Sequence, residues 1–305
     1  MLLRRSLVTA AALVVATVVL AGCSSSSGGG SAAPKPTIKI GATNFEEQEI
    51  VANLYGDVLV HAGYKVKVEP ALGTRAVVVP AIEHAQIDLE PDYAASLLGY
   101  LHGGTPQPAG TQISTAIAAD QKALASFGVT VLPASSALDT NVFAVTKATA
   151  AKDHLTTLSS LAPYASKMIL GGPPECPTFA GCEPGLKSVY GLNFASFKSL
   201  DEAGPLSVAA LKNGEVQVVE LFSSDGNVVS NNFVALTDDK HLEGADYIIP
   251  VIRKSVDTPA VAAALATLDK KLTTDAISQL NLDVTADKQQ PAAVAETWLK
   301  SNGLI

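Results

Sequence analysis

The sequence predicts an α/β fold with mainly parallel sheets, divided into two lobes. Three observations support this prediction. Short strand-like runs alternate with helically spaced apolar residues along the chain, which is typical of α/β proteins. Hydrophobic residues make up 48% of the chain and charged residues 16%, as in a folded protein. The chain has 305 residues, and one domain usually takes roughly 150.

Short apolar or alternating runs predict the strands, because successive side chains of a strand point to opposite faces. The first run, Thr37-Ile38-Lys39-Ile40-Gly41, alternates as a half-buried strand does. The predicted strands are, in order, 37–41, 65–68, 87–89, 129–132, 141–146, 168–170, 216–221, 233–236 and 247–252.

Apolar residues at helical spacing predict the helices between these strands. The first helix is expected around 50–59, with Asn44 as its cap and Glu47 three residues further on. Further helices are expected at 77–85, 112–127, 186–190, 206–211, 258–272 and 292–301. The strand at 141–146 leaves the first lobe, and the strand at 247–252 returns to it. This predicts lobe I from 37–140 plus 246–305 and lobe II from 141–245, with a two-segment hinge.

The N-terminus has the pattern of a bacterial lipoprotein signal. Arg4 and Arg5 precede an apolar run from Leu7 to Leu20, and Leu20-Ala21-Gly22-Cys23 follows. We expect a signal peptide at 1–22, cleavage before Cys23, and a lipid on that thiol. A permanent membrane helix is the alternative, but the run is shorter than the ~20 residues that such a helix needs. The protein is therefore expected on the outer face of the cell membrane.

Residues 23–36 are mostly Ser, Gly, Ala and Pro, and this composition predicts a flexible tether with a reach of about 20 Å. Removing residues 1–22 takes away two of the 21 basic residues and none of the 29 acidic ones, which leaves a net charge of about −10. Nucleic-acid binding relies on basic side chains. We expect no nucleic-acid partner, and membrane contact through the N-terminal lipid only.

Two further cysteines, Cys176 and Cys182, lie in one loop rich in Pro and Gly. Export favours a disulfide between them, which would stabilise this small loop by about 2 kcal/mol or less. A metal site is the alternative, but the loop has no His and zinc normally takes four ligands.

Enzyme motifs are missing from the sequence. It has no GxSxG, HExxH, GxxxxGK[ST] or strand-associated GxGxxG pattern, and its five histidines are scattered. We expect no catalytic residue, no metal and no cofactor.

An ordered set of segments resembles the substrate-binding proteins of osmoprotectant ABC importers, which bind glycine betaine, choline and carnitine. The resemblance spans about 37–300, and its segments are 41–48, 87–96, 211–216, 224–226, 236–241 and 250–254. It implies a two-lobed periplasmic-binding-protein fold of type II. It also implies a small-molecule solute in the cleft, and an ABC permease with its ATPase as partners of a monomeric binding protein.

A quaternary ammonium has no N–H, so aromatic faces hold it, and Arg, Lys or backbone N–H groups hold its carboxylate. The resemblance carries over two ligand-binding residues, Tyr93 and Ser96. The other tyrosines are expected to pack in the fold: Tyr55, Tyr64, Tyr100, Tyr164 and Tyr190.

Several positions depart from the family pattern. Asn141 and Val208 stand where the family has tyrosines. Asp246 stands at a third such position, although the neighbouring Tyr247 could serve after a shift of one residue.

Phe179 replaces the arginine that grips a carboxylate, and Thr43 replaces an early basic residue. Phe179 could supply a ring, Asp246 could pair with a cation, and Asn141 with Thr43 could hydrogen-bond a polar ligand.

The sequence therefore predicts a solute-binding lipoprotein whose ligand is a compatible solute like glycine betaine. Two alternatives stay open. The same fold could bind a polar, hydroxylated or aromatic ligand instead, or the protein could act as a sensor or interaction protein without transport.

Overall fold

The computed structural model describes residues 37–103, 111–201, 203–244 and 246–305. The signal peptide at 1–22, the lipid site at Cys23 and the tether at 23–36 lie outside the described residues. None of the helices in the described ranges is both long and apolar enough to span a membrane.

Two five-stranded sheets form the framework. The strands are β1 (Thr37–Thr43), β2 (Lys65–Gly73), β3 (Leu89–Tyr93), β4 (Val129–Val131), β5 (Asn141–Thr146), β6 (Ile169–Gly172), β7 (Ser196–Ser199), β8 (Val218–Phe222), β9 (Phe233–Leu236) and β10 (Ile248–Arg253). The first sheet has the order β2-β1-β3-β10-β4, and the second has the order β7-β6-β8-β5-β9.

Each sheet is mixed, but four of its five strands run in the same direction, which confirms the prediction of mainly parallel sheets. Strand β1 pairs in parallel with β2 and β3, whereas β10 pairs antiparallel with β3 and β4. In the second sheet, β6 pairs in parallel with β7 and β8, whereas β5 pairs antiparallel with β8 and β9. The antiparallel strands β5 and β10 are the two that arrive from the other sheet. Each enters its sheet without the strand–helix–strand crossover that keeps neighbouring strands parallel.

Helices cover both faces of the first sheet. The α-helices of the described residues are α1 (Glu46–His61), α2 (Arg75–Glu83), α3 (Ala94–Leu101), α4 (Ile113–Leu124), α5 (Lys147–Asp153), α6 (Glu183–Tyr190), α7 (Pro205–Lys212), α8 (Gly226–Ser230), α9 (Pro259–Asp269), α10 (Thr274–Thr285) and α11 (Pro291–Ser301). One apolar cluster packs α1, α9, α10 and α11 against the first sheet, and another packs α2, α3 and α4.

Strand β10 is covered by apolar clusters on both faces of the sheet. Ile248 and Ile252 belong to the cluster on one face of the sheet, whereas Ile249 and Val251 belong to the cluster on the other. A strand covered on both faces has no solvent-facing position, so it reads as a continuous hydrophobic run.

The beginning of α1 differs from its prediction. The helix begins at Glu46, and the residue at its N-cap position is Phe45, so the predicted cap at Asn44 is wrong. Two other side chains fix this turn. Thr43 N–H donates to Gln48 Oε1 at 3.2 Å, and Phe45 N–H donates to Thr43 Oγ1 at 3.3 Å.

Two helices that the sequence did not predict position the cavity described below. Helix α3 begins directly after β3, because the predicted strand at 87–89 in fact runs over Leu89–Tyr93. Helix α10 follows α9 after a short turn and begins at a Thr273 cap, whose side chain accepts from Ala276 N–H.

Candidate ligand-binding cavity

A cavity of about 1100 Å³ lies between the two sheets. Strands β3 and β8 occupy equivalent places in their sheets, and their last residues, Tyr93 and Phe222, both line the cavity. Asn141 contributes from the first residue of β5. Ligands of open α/β sheets bind outside the carboxyl ends of the strands, so this cavity is the candidate binding site.

The two chain segments that connect the sheets run together beside the cavity. Asp139 N–H donates to the carbonyl of Asp246 at 2.9 Å, and Leu138 pairs with Tyr247 in an isolated antiparallel bridge. Asp139 and Asp246 both line the cavity.

Five of the seven predicted ligand-binding residues line the cavity: Tyr93, Ser96, Asn141, Phe179 and Asp246. Thr43 and Tyr247 are described residues that do not line it. Thr43 holds the turn before α1, and Tyr247 takes part in the bridge between the connecting segments.

Tyr93 is held at the cavity by a buried hydrogen bond. Its hydroxyl donates to Glu47 Oε1 at 2.7 Å, and the side chain is only 7% exposed. The ring packs edge-on against Phe45, with 6.5 Å between the ring centroids and an angle of 61° between the planes. Since Phe45 also lines the cavity, the pair presents two aromatic rings to it.

Glu47 extends this network across the molecule. Asn281 Nδ2 of α10 donates to Glu47 Oε2 at 2.6 Å and to the carbonyl of Ser224 at 3.0 Å. The Ser224 hydroxyl in turn donates to Asp139 Oδ1 at 2.7 Å. Burial raises the pKa of Glu47, and the hydrogen bonds from Ser224, Asn281 and Tyr93 act in the opposite direction. Burial and the nearby charge of Glu47 raise the pKa of Asp139 well above its ordinary value.

Arg75 is the one cation among the described residues that line the cavity, and it is already ion-paired. Its Nε lies 3.1 and 3.2 Å from the two carboxylate oxygens of Asp92, and its Nη2 lies 2.8 Å from Oδ1. Asp92 also accepts from Tyr93 N–H at 2.7 Å. Burial acts to lower the pKa of Arg75, but the charge and hydrogen bonds of Asp92, together with the charges of Asp246 and Tyr93, outweigh burial and raise the pKa.

Ser96 and Asp246 bind each other. The backbone N–H of Ser96 donates to Asp246 Oδ1 at 2.7 Å, and its hydroxyl donates to Oδ2 at 2.8 Å. Burial raises the pKa of Asp246, while these two bonds act to lower it. The resemblance and its departures predicted each of these residues as a ligand contact, and the structure places the two polar groups against one another.

Glu243 reaches the cavity from the loop between β9 and β10. The carboxylate of Asp238 shapes this loop by accepting from Leu242 N–H at 2.9 Å and from Glu243 N–H at 2.8 Å. Among the described residues, Glu243 Oε1 is buried and has no hydrogen-bond partner. Burial raises the pKa of Glu243 well above its ordinary value, and the charges of Glu220, Asp238 and Asp246 raise it further, against a side-chain bond from Asn141.

Glu220 and the disulfide loop complete this side of the cavity. Glu220 lies in β8 and is only 6% exposed, and its Oε2 is 2.9 Å from Cys182 Sγ. Cys176 and Cys182 are joined in a disulfide. Together with Glu220 they place three possible ligand atoms within 4.8 Å of one another. Zinc is held by thiolates, and sulfurs joined to each other are not thiolates, so the metal alternative does not fit the disulfide form.

Phe179 lies on the same loop and is 40% exposed. A Cβ placed on Gly181 would lie 2.7 Å from Phe179 Cε1 and 3.1 Å from Glu243 Oε2. The Phe179 ring and the Glu243 carboxylate are therefore neighbours around Gly181, which is one arrangement that attracts a cation.

Sequence reasoning missed most of the charged lining. The cavity's carboxylates are Asp139, Glu175, Glu220, Glu243 and Asp246, of which only Asp246 was predicted. Tyr100, which was predicted to pack in the fold, packs against the apolar cluster and also lines the cavity. One available signal was the rarity of arginine, since Arg75 and Arg253 are the only two after Arg5.

This architecture, two mixed α/β sheets with a deep cavity between them, is that of a solute-binding protein of the type II periplasmic class. Comparison with known proteins agrees. The family described as the substrate binding domain of ABC-type glycine betaine transport systems matches residues 36–301. The chain belongs to this family.

Relatives of known function are solute-binding proteins. The chain is 27% identical to the carnitine transport binding protein OpuCC of Listeria monocytogenes, over 88% of this chain and 87% of that protein. It is 26% identical to a glycine-betaine-binding protein of Pseudomonas aeruginosa, over 90% of each. These relatives serve ABC transporters and are not enzymes.

A crystal structure of a glycine betaine/carnitine/choline ABC transporter protein superimposes with a TM-score of 0.80. It is 24% identical to this chain, with coverage of 88% of this chain and 99% of that one. The apo form of YehZ from Escherichia coli gives a TM-score of 0.77 at 23% identity, with coverage of 88% and 99%. Both likenesses establish the fold.

Proposed function

We propose that this protein captures a small organic cation in the cavity between its sheets and delivers it to the permease and ATPase of an ABC importer. The excess of negative charge in the cavity carries this proposal. Five lining carboxylates face one lining arginine, and that arginine is paired with Asp92. A positively charged ligand offsets the cost of holding these carboxylates together.

The aromatic lining supports the same charge on the ligand. Phe45, Tyr93, Tyr100 and Phe179 line the cavity. The face of an aromatic ring attracts a cation within about 6 Å of the ring centroid. Rings and carboxylates together favour a cation over a neutral sugar or an anion.

A ligand carboxylate has little to bind in this cavity. Phe179 stands where the family resemblance places a carboxylate-binding arginine, and Arg75 directs both Nε and Nη2 to Asp92. The sequence predicted a ligand like glycine betaine, which carries a carboxylate. The lining favours a cation without one, of which choline is the simplest quaternary example.

Closure of two lobes would enclose this ligand. We take the lobes as residues 37–140 plus 246–305 and residues 141–245, with the hinge at the paired segments around Asp139 and Asp246. A ligand that touches both sheets favours the closed form, because only there do all of its contacts form together.

Attachment by lipid at Cys23 would keep a monomeric binding protein close to its permease, behind the tether at 23–36. Such tethering raises the local concentration of the protein without any new contact. Labelling cells with radioactive palmitate tests this part. Label should enter the wild type and not Cys23→Ala, and equal labelling of the two would remove the anchor from the proposal.

Calorimetric titration with choline and glycine betaine tests the ligand class, since both carry a trimethylammonium group and only glycine betaine carries a carboxylate. We expect choline to bind more tightly, by about tenfold. Tighter binding of glycine betaine, or binding of an anion in place of both, would contradict the proposal.

A further inference from the structure

The two walls of the cavity differ in how their polar groups are satisfied. We define the first-sheet wall as Arg75, Tyr93, Ser96 and Asp246, and the second-sheet wall as Asn141, Phe179, Glu220 and Glu243. On the first-sheet wall the hydroxyl of Tyr93 donates to Glu47, Ser96 donates to Asp246, and Arg75 is paired with Asp92. On the second-sheet wall, Glu243 Oε1 is buried and finds no hydrogen-bond partner in the part of the chain that the structure describes.

We propose that Glu243 receives an N–H group of the ligand's cationic centre, so that the ligand is a primary or secondary ammonium or a guanidinium rather than a fully alkylated ammonium. This inference rests on the proposed function, because it names the kind of cation that the cavity takes.

The first argument is the unmade hydrogen bond. A buried acceptor without a donor costs about 1–3 kcal/mol. A quaternary ammonium brings positive charge but no N–H, so Glu243 Oε1 would stay unsatisfied when such a ligand closes the cavity. A primary ammonium or a guanidinium brings the charge and the donor together.

The second argument is the cluster of acidic groups around Glu243. Glu220 is the nearby charge that most raises its pKa, followed by Asp238 and Asp246. Asn141 supplies one side-chain hydrogen bond to Glu243. Carboxyl groups this close together repel one another when charged, and clusters of acidic groups with raised pKa values in a cleft are typical of functional sites.

The third argument is the ring beside the carboxylate. Phe179 Cε1 and Glu243 Oε2 both lie within 3.1 Å of the position that a Gly181 Cβ would take. With 40% of Phe179 exposed, its ring is available to cover a bound cation. The face of the ring attracts the positive charge of a bound ammonium, and the carboxylate beside it accepts a hydrogen bond from the ammonium N–H.

The N-methylation series of ethanolamine tests the proposal. Ethanolamine, N-methylethanolamine, N,N-dimethylethanolamine and choline share one scaffold and one positive charge at neutral pH, and differ in having three, two, one or no N–H donors. We expect ethanolamine to bind the purified protein at least about tenfold more tightly than choline, with affinity falling along the series. A site made only of rings would give the opposite order, because a primary ammonium loses more hydration on burial.

Glu243→Gln should abolish this gradient by weakening ethanolamine about tenfold more than it weakens choline. The control is Glu296→Gln, an exposed acid of α11 paired with Lys300, which should leave the whole gradient intact. Thermal unfolding of each variant checks its folding. We expect Glu243→Gln to be at least as stable as the wild type, because it removes one of several crowded carboxylates.

Four results are possible. The gradient with its loss in Glu243→Gln supports the proposal. Choline binding as tightly as ethanolamine or more tightly overturns the inference and leaves the proposed function standing. A gradient that survives in Glu243→Gln overturns the role of Glu243. Failure of glycine betaine and of every member of the series to bind overturns both the inference and the proposed function.

Discussion

The first-sheet wall and the second-sheet wall face one cavity but are built on opposite principles. On the first-sheet wall, Tyr93 and Ser96 are fixed by hydrogen bonds to Glu47 and Asp246. On the second-sheet wall, one buried oxygen of Glu243 has no hydrogen-bond partner within the described ranges, and a partly exposed Phe179 ring lies beside this carboxylate. The polar groups of the first-sheet wall bind one another, so this wall contacts a ligand mainly through its shape and its aromatic ring. The second-sheet wall has an acceptor without a donor, so a ligand that donates to it gains binding free energy.

This difference also separates stability from recognition. Removing a group from the first-sheet wall breaks bonds that exist in the free protein, so the free energy of unfolding should fall. Removing the Glu243 carboxylate breaks a side-chain bond from Asn141 but also relieves its repulsion with Glu220, Asp238 and Asp246, so affinity should change more than stability. The predictions below compare the two walls, from the largest expected effect to the smallest.

Arg75→Ala should lower the free energy of unfolding by about 3 kcal/mol, because it leaves the buried Asp92 carboxylate without its ion-pair partner. Chemical denaturation measures the change. Lys300→Ala, which breaks the exposed pair with Glu296, is the control and should cost less than about 0.5 kcal/mol. Equal losses in the two variants would show that the first-sheet wall is not held together by this pair.

Stability should fall as the pH rises from about 4 to about 8, and Asp120 of α4 is one cause. Both of its carboxylate oxygens are buried and unpartnered within the described residues. Burial, with the charges of Asp92 and Asp246, raises its pKa from 3.8 to about 8, against the effect of Arg75. The folded state thus binds a proton that the unfolded state releases in this window, and raising the pH through it removes that stability.

Asp120→Asn should flatten this dependence by on the order of 2 kcal/mol between the two ends of the pH window. Unfolding midpoints measured at several pH values provide the test. If the free energy of unfolding of the variant varies with pH as steeply as that of the wild type, Asp120 is charged in the folded protein throughout this window, and another group causes the pH dependence.

Tyr93→Phe should cost about 1 kcal/mol of stability, because Glu47 Oε1 loses the hydroxyl that donates to it. Cation affinity should stay nearly unchanged, since the ring remains. Tyr93→Ala removes the ring as well and should weaken cation binding by about tenfold. Cation binding that survives Tyr93→Ala intact would remove Tyr93 from the site.

Affinity for ethanolamine should rise by about threefold per pH unit above the ordinary range of a glutamate, because the raised pKa of Glu243 favours its protonated form in the free protein and a cation favours its charged form. Burial first, and then Glu220 of β8 with Asp238 and Asp246 of the loop before β10, raise its pKa, and Asn141 of β5 opposes them. The rise should stop once the pH exceeds the raised pKa. Titrations at several pH values, with Glu243→Gln as the pH-insensitive reference, measure this effect.

The sequence predicted the first-sheet wall better than the second. Tyr93 and Ser96 stand in a segment that resembles the family, and the apolar run of β10 marked the strand that returns to the first sheet. Strand direction could not be read from the same alternation, because β5 and β10 enter their sheets from the other sheet. The alternation of strands and helices along the sequence is the same whether a strand runs parallel or antiparallel to its neighbours.

Glu243 and Glu220 escaped prediction for a physical reason. Glu243 lies in a polar loop near Asp238 and His241, where an acid ordinarily faces solvent. The bonds from Leu242 N–H and Glu243 N–H to Asp238 shape this loop, and in it Glu243 Oε1 is buried. Glu220 stands among apolar neighbours in Val218–Phe222, and a charge within a buried strand was the one signal that could have marked it.

A crystal structure of the protein with ethanolamine bound tests the central claim most directly. We predict that the ligand nitrogen lies in the cavity within about 3 Å of Glu243 Oε1, beside the Phe179 ring, with the bonds of Tyr93 to Glu47 and of Ser96 to Asp246 unchanged. A nitrogen bound to the first-sheet wall through a rearranged Ser96 and Asp246, with Glu243 Oε1 still unpartnered, would contradict the account.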